Sequence, residues 1–201
     1  MLSVNELLYL IFIFILLSVY WVNVSKNYCV MRKAIFLSFS TIFIFSLLSF
    51  VQAQTSTYIL LRHAEKDTTV SDLTMVKADP PLTKAGEERA KSLITLLKEY
   101  TPDEIYSTNF IRTKATVSPL SLKFNKELQI YDPKELILFS EKLLQQKGKT
   151  IIIAGHSNTT PALVNLLIKE KTYPNLDESV YNQLWIVTIS EGKAVAKVVK
   201  F

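Results

Sequence analysis

The sequence predicts a three-layer α/β/α sandwich with a mostly parallel central sheet, preceded by an apolar N-terminal region. Three observations predict it. From residue 57 onward, short β-rich runs alternate with helix-length amphipathic segments, the pattern of strands joined by crossover helices. Residues 150–154 (TIIIA) are apolar without a break, as in a strand covered on both faces. The apolar surplus behind the mean hydropathy of +0.22 gathers at the front, in the uncharged runs 7–22 (LLYLIFIFILLSVYWV) and 34–51 (AIFLSFSTIFIFSLLSFV). Residues 1–53 are therefore expected to be a targeting region and residues 54–201 the folded domain, long enough to bury a core.

Lys26, Arg32 and Lys33 separate the two apolar runs. Met31-Arg32-Lys33, the second run and Val51-Gln52-Ala53 read as a secretory signal peptide at 31–53, cut after Ala53. The long apolar run also suits an uncleaved anchor. Met31 as the true start would make residues 1–30 an over-extended reading frame. With Met1, the two runs could form a helical hairpin whose bases face the cytoplasm. Each alternative places residues 54–201 outside the cytoplasm, periplasmic or secreted, with membrane contact only through an uncleaved N-terminal segment. The single cysteine, Cys29, excludes an intramolecular disulfide and a multi-cysteine zinc site, and two histidines leave any metal site dependent on carboxylates. Residues 54–201 hold 20 bases and 17 acids, a net +3 that is small and scattered and has no aromatic-interleaved basic stripe, so no nucleic-acid partner is expected.

Along the domain, residues 57–61 (TYILL) form a strand ending at Arg62-His63, and Pro80-Pro81 breaks the chain. Thr83 then caps a helix running to about Lys98, with Glu87 and Glu88 near its positive end and Ala90, Leu93, Ile94 and Leu97 on one face. A short strand at 104–106 precedes a helix at 110–122. Asp132 as N-cap, Pro133 at the first position and Glu135 at the third start another helix, which Gly148 stops. After the strand at 150–154 comes Gly155-His156-Ser157, then a helix from Thr160-Pro161. Residues 183–190 and 193–200 alternate around Glu191-Gly192 as a terminal hairpin. Lys123, Lys126 and Glu127 read as a charged loop, Thr108 and Asn109 as turn and cap residues, and Tyr181 and Trp185 either as core or as a substrate rim.

Both histidines follow an apolar strand and precede a loop. Ligands of open α/β sheets bind outside the carboxyl ends of strands, so neighbouring strands would bring His63 and His156 to one pocket. Arg62 adjoins the first histidine, and Arg112 follows a third strand end. The helix near Thr160 aims free backbone N–H groups at the space beside His156. Two imidazoles, two guanidiniums and a helix N-terminus suit a dianion, because the guanidinium fork matches phosphate oxygens. A neutral imidazole can also attack phosphorus.

Four blocks, in order, resemble the histidine phosphatase superfamily of phosphoglycerate mutase-like fold. Leu60-Leu61-Arg62-His63-Ala64-Glu65 is similar to its Arg-His-Gly signature. Pro81-Leu82-Thr83-Lys84-Ala85-Gly86 is similar to its Leu-Thr-x-x-Gly segment. Ile105-Tyr106-Ser107-Thr108 with Arg112 and Thr116 is similar to its Tyr-Ser-x-x-x-x-Arg-x-x-x-Thr block, and Ala154-Gly155-His156-Ser157 to its second histidine block. The resemblance implies that His63 attacks and becomes phosphohistidine, that Arg62, Arg112 and His156 hold the phosphoryl oxygens, and that water hydrolyses the phosphoenzyme. It implies no metal or organic cofactor. The compact length resembles the small single-domain phosphatases of the family rather than its mutases.

Two features depart from the family pattern. Ala64 stands in place of glycine, and Ser157-Asn158 follows the second histidine, where the two side chains either donate to phosphate or cap the next helix. The general acid stays open among Asp132, Glu135 and Glu65. Asp132 and Glu135 also fit the helix cap, and Glu65 also fits a role in orienting its loop or meeting a base such as Lys66. The expected function is an exported phosphatase acting on a phosphorylated small molecule or phosphoprotein. A non-catalytic phospho-ligand-binding domain and a phosphomutase are the alternatives.

Overall fold

A computed structural model describes residues 12–18, 54–69 and 79–201. The chain divides into two compact units, 1–52 and 53–201. In the first unit the described residues are one helical stretch, 12–18. Among the described residues, no helix is long and apolar enough to cross a membrane. Most of the two N-terminal apolar runs, and the proposed cleavage site at Ala53, lie outside the described residues.

The second unit alternates strand and helix as its sequence pattern requires. The elements in order are β1 (Ser56–Arg62), α1 (Lys84–Leu96), β2 (Glu104–Ser107), α2 (Ile111–Phe124), β3 (Leu128–Ile130), α3 (Leu136–Gln145), β4 (Thr150–Gly155), α4 (Thr159–Ile168), β5 (Gln183–Ser190) and β6 (Lys193–Lys200). They build one six-stranded sheet of order β3-β2-β4-β1-β5-β6. The first four strands in that order are parallel, and β5 and β6 continue the sheet antiparallel.

Strand periodicity assigns the core to two faces. Tyr58, Leu60, Ile151, Ile153, Trp185 and Val187 pack against α3 and α4 through Leu143, Leu163, Val164 and Leu167. The alternate residues Ile59, Leu61, Ile105, Ile152, Ala154 and Leu184 pack against α1 and α2 through Leu93, Leu97, Val117 and Leu120. A sheet with helices on both faces buries its central strands completely, which is why β4 reads as a continuous apolar run.

The helix starts differ from the sequence expectation at one place. Thr83 caps α1 as expected, its Oγ1 accepting from Gly86 N at 3.0 Å. Asp132 does not cap α3: the helix begins at Leu136, with Glu135 at the cap position and no side-chain cap bond. The Asp132 carboxylate instead accepts from Lys134 N at 2.8 Å, and its carbonyl from Glu135 N at 3.1 Å. A short aspartate side chain that engages the amide two residues on closes a local turn and leaves the helix to start later. Strand β3, only three residues long, emerges where the charged loop was expected to continue. It pairs with β2 along Ile105↔Leu128 to Ser107↔Ile130. The terminal hairpin matches expectation, with Glu191 and Gly192 at φ 52° and 77°, the left-handed pair that a two-residue turn between twisted strands requires.

Candidate active site

β1 and β4 are adjacent and parallel, with Arg62 paired to Gly155. The ladder continues one step further, through a bond from His63 N to Gly155 O at 2.9 Å. His63 and His156 therefore leave neighbouring strands at the same end of the sheet. Their ring centroids stand 5.5 Å apart, edge to face. Gly155 is required just before His156, because a Cβ there would lie 2.7 Å from Thr160 Oγ1 and 2.8 Å from the Tyr131 hydroxyl.

His63 is 3% exposed, and its Nδ1 lies 2.8 Å from the carbonyl oxygen of Ala64. A carbonyl only accepts, so Nδ1 carries the proton and the Nε2 lone pair is free of it. Burial, with the charges of Arg112 and Arg62 added, pushes His63 down to about 3, against the weaker upward pull of the Ala64 carbonyl. Burial and the same two arginines push His156 down to about 4. Both rings are neutral at neutral pH. Thr108, expected as a turn residue, also belongs to the site: its Oγ1 stands 3.0 Å from His156 Nε2.

The two arginines are held by loops that carried no recognisable sequence pattern. Arg62 Nη1 donates to the carbonyls of Asp177, Glu178 and Val180, and its Nη2 to Glu178 Oε2 at 2.7 Å. The Tyr181 ring packs 4.2 Å from the Arg62 guanidinium carbon and 6.1 Å from the His63 ring. Tyr181 thus borders the site, whereas Trp185 is core. Arg112 Nη1 lies 3.2 Å from Asp79 Oδ1, and both Asp79 oxygens accept from Ile111 N at the start of α2. Phe110 packs on Arg112 at 4.6 Å and on the His156 ring at 5.0 Å. Among the described residues, the buried Nε groups of both Arg62 and Arg112 have no hydrogen-bond partner. Unmet buried donors are costly, and two cationic ones on residues that flank the imidazoles mark a place for an anion.

The sequence blocks acquire physical reasons. Thr116 Oγ1 accepts from Ala64 N at 2.9 Å and donates to Arg112 O at 2.8 Å, so the Arg-x-x-x-Thr spacing ties one turn of α2 to the His63 loop. Glu65 O accepts from Thr83 N at 2.9 Å, and a Cβ on Gly86 would stand 2.5 Å from that oxygen. The Leu-Thr-x-x-Gly segment thus lets α1 press on the same loop.

Of the three carboxylates considered as acids, Glu65 is clamped by Arg89 through bonds of 2.7–3.0 Å to Nε and Nη2, and not by Lys66. Asp132 is engaged in its own turn, and Glu135 lies at the exposed start of α3. Asn158 caps α4, Oδ1 accepting from Thr159 N at 2.9 Å, while Ser157 Oγ donates to Glu178 Oε1 at 2.7 Å. Asp79 and Glu178 escaped sequence reasoning. Asp79-Pro80-Pro81 gave only a break signal, and Glu178 meets Arg62 solely through the folding of a distant loop.

Residues 58–136 match the family model of the histidine phosphatase superfamily (branch 1). Solved structures share the fold. The protein histidine phosphatase SixA complexed with tungstate is 18% identical, with a TM-score of 0.57 over 72% of this chain and 96% of that one. A phosphoserine phosphatase from Entamoeba histolytica is 15% identical, with a TM-score of 0.52 over 71% and 95%. A mycobacterial glucosyl-3-phosphoglycerate phosphatase is 12% identical, with a TM-score of 0.54 over 75% and 99%. No curated relative matches the chain. The second unit therefore has the phosphoglycerate mutase-like fold of these phosphatases, and its residues 58–136 carry the match to the histidine phosphatase superfamily.

Proposed function

We propose that the protein is a phosphatase that hydrolyses phosphate monoesters through a phosphohistidine on His63. The bond from His63 Nδ1 to the Ala64 carbonyl carries this reading, because it fixes the tautomer whose Nε2 lone pair can attack. Burial keeps the ring neutral, so no proton need leave before attack. Nε2 forms a bond to phosphorus as the ester P–O bond breaks, and the leaving oxygen takes a proton. Water then attacks phosphorus, the P–N bond breaks, and His63 returns neutral with release of inorganic phosphate. The unmet Nε–H groups of Arg62 and Arg112 supply donors to the equatorial oxygens, with His156 beside them. Ser157 and the side-chain amide N–H2 of Asn158, which its capping role does not use, are further donors at the N-terminus of α4.

Phosphorylated small molecules and phosphoprotein side chains are the substrate classes. Phosphohistidine is included among them, since a structural neighbour is a protein histidine phosphatase. The test is turnover of a generic aryl phosphate by the purified protein, with acid-labile, base-stable phosphate trapped on His63. Undiminished turnover by His63→Ala would sink the mechanism. Phosphate binding without turnover on any substrate would favour a binding domain instead, and transfer between two positions of one substrate a mutase.

Export is proposed on a separate basis, the run from Met31 to Ala53. Sequencing of the mature N-terminus should begin near Gln54. Full-length protein recovered from the cytoplasm would contradict it.

A further inference from the structure

Glu178 bridges the segments that carry the two histidines. Its Oε2 accepts from Nη2 of Arg62, the residue before His63, and its Oε1 from Oγ of Ser157, the residue after His156, both at 2.7 Å. Lys66 Nζ stands 3.7 Å from Oε2. The backbone beneath is fixed by the three carbonyls on Arg62 Nη1 and by a bond from Leu176 N to Ser157 O at 2.9 Å. The side chain itself is 66% exposed. It is a solvent-exposed carboxylate on an anchored loop.

The other carboxylates near the site are more enclosed or turned to other partners, Asp79 being 26% exposed against 66% for Glu178. Glu65 is clamped by Arg89, Asp79 by Ile111 N and Arg112, and Asp132 by its own turn. Among the described residues, Glu178 is the carboxylate bound to members of the candidate phosphate-binding set while remaining open to solvent.

We propose that Glu178 is the acid that protonates the leaving group, an inference that rests on His63 being the nucleophile. In-line attack from a buried Nε2 puts the leaving oxygen on the far side of phosphorus, and the carboxylate that is both solvent-exposed and bound to Arg62 and Ser157 is that of Glu178. In the free protein, Ser157, Arg62 and Lys66 hold that carboxylate ionised. A phosphoryl group that takes over Arg62 Nη2 and Ser157 Oγ removes those donors and brings negative charge beside it. Both changes raise its proton affinity, against the attraction of Lys66 and Arg112. The proton arrives with the monoanionic substrate or from water. As His63 Nε2 bonds to phosphorus, the P–O bond breaks, its electron pair stays on the leaving oxygen, and the Glu178 proton passes to that oxygen. In the second step the carboxylate takes a proton from the attacking water, which restores the acid.

The test is Glu178→Gln, which retains an oxygen acceptor for Ser157 and Arg62, assayed as kcat/KM across leaving groups. That ratio reports phosphoryl transfer to the enzyme and excludes the later hydrolysis. For alkyl phosphates, whose leaving oxygens need a proton, kcat/KM should fall on the order of 100-fold or more. For p-nitrophenyl phosphate, whose leaving group departs as an anion, it should change by less than about threefold on the same argument. An equal loss across the series, or a gain in every substrate as if a plug had been removed, overturns the proposal. The nucleophile reading is judged separately, by the wild-type phosphoenzyme; if the wild type turns over nothing, both readings fall together.

Discussion

The backbone N–H of Ala64 donates to Thr116 Oγ1 at 2.9 Å, so a helix remote in sequence sets the position of the residue that follows His63. Ala64 O in turn accepts from His63 Nδ1. One hydroxyl on α2 thereby stands two bonds away from the tautomer of the proposed nucleophile.

Thr116→Val should therefore damage both stability and rate. Removing the acceptor leaves Ala64 N buried and unmet, a cost of about 1–3 kcal/mol. Chemical denaturation should show that loss. A fall in kcat larger than the fraction unfolded should accompany it, because the His63 ring loses its fixed orientation. A variant with wild-type stability and kcat would show that the hydroxyl positions nothing.

Thr108→Val addresses the other imidazole. The Thr108 hydroxyl is fully buried and meets His156 Nε2, so its loss should free the ring to rotate. A lost hydrogen bond of about 1–1.5 kcal/mol corresponds to roughly tenfold in kcat/KM for an aryl phosphate. Vanadate affinity should weaken in parallel if His156 holds the phosphoryl oxygens.

The chain has two histidines in all, so its imidazole nitrogen spectrum reports the site and nothing else. Burial lowers His63 to about 3 and His156 to about 4, so neither should titrate between pH 8 and pH 5 in the free protein. The unfolded chain binds protons near pH 6.5, and stability should fall as pH drops from there toward about 4. Bound phosphate or vanadate puts a negative charge against both rings and should move their titrations upward. A ring titrating near 6.5 without ligand would contradict the buried geometry.

Gly86→Ala drives a methyl to 2.5 Å from the Glu65 carbonyl oxygen, a backbone atom that cannot swing away. Overpacking of this kind costs about 1–3 kcal/mol, visible as a lower melting temperature. Activity should fall further than stability alone explains, since Glu65 belongs to the loop that carries His63.

The sequence revealed those parts of the site that local pattern controls. Arg62, His63 and His156 were legible because each ends an apolar run, and a parallel sheet gathers strand ends. Arg112 and Thr116 were legible as one helical turn behind a third strand. Glu178 was not, because its meeting with Arg62 depends on how a loop closes in space and leaves no periodic trace. The Asp-Pro-Lys-Glu signal at 132–135 misled for the converse reason. Its local chemistry is satisfied as well by a turn as by a helix cap, and the tertiary path chose the turn. Strand β3 is too short for alternation to register.

The bond from His63 N to Gly155 O makes the site the last rung of the central ladder. Amide hydrogens on such rungs exchange with deuterated solvent only when the whole domain opens. The His63 amide should thus be among the slowest in the molecule, matching the amides of Ile152 and Ile153. Competence and folding are then gained and lost in a single cooperative event, and a partly melted yet active form has no place on this scaffold.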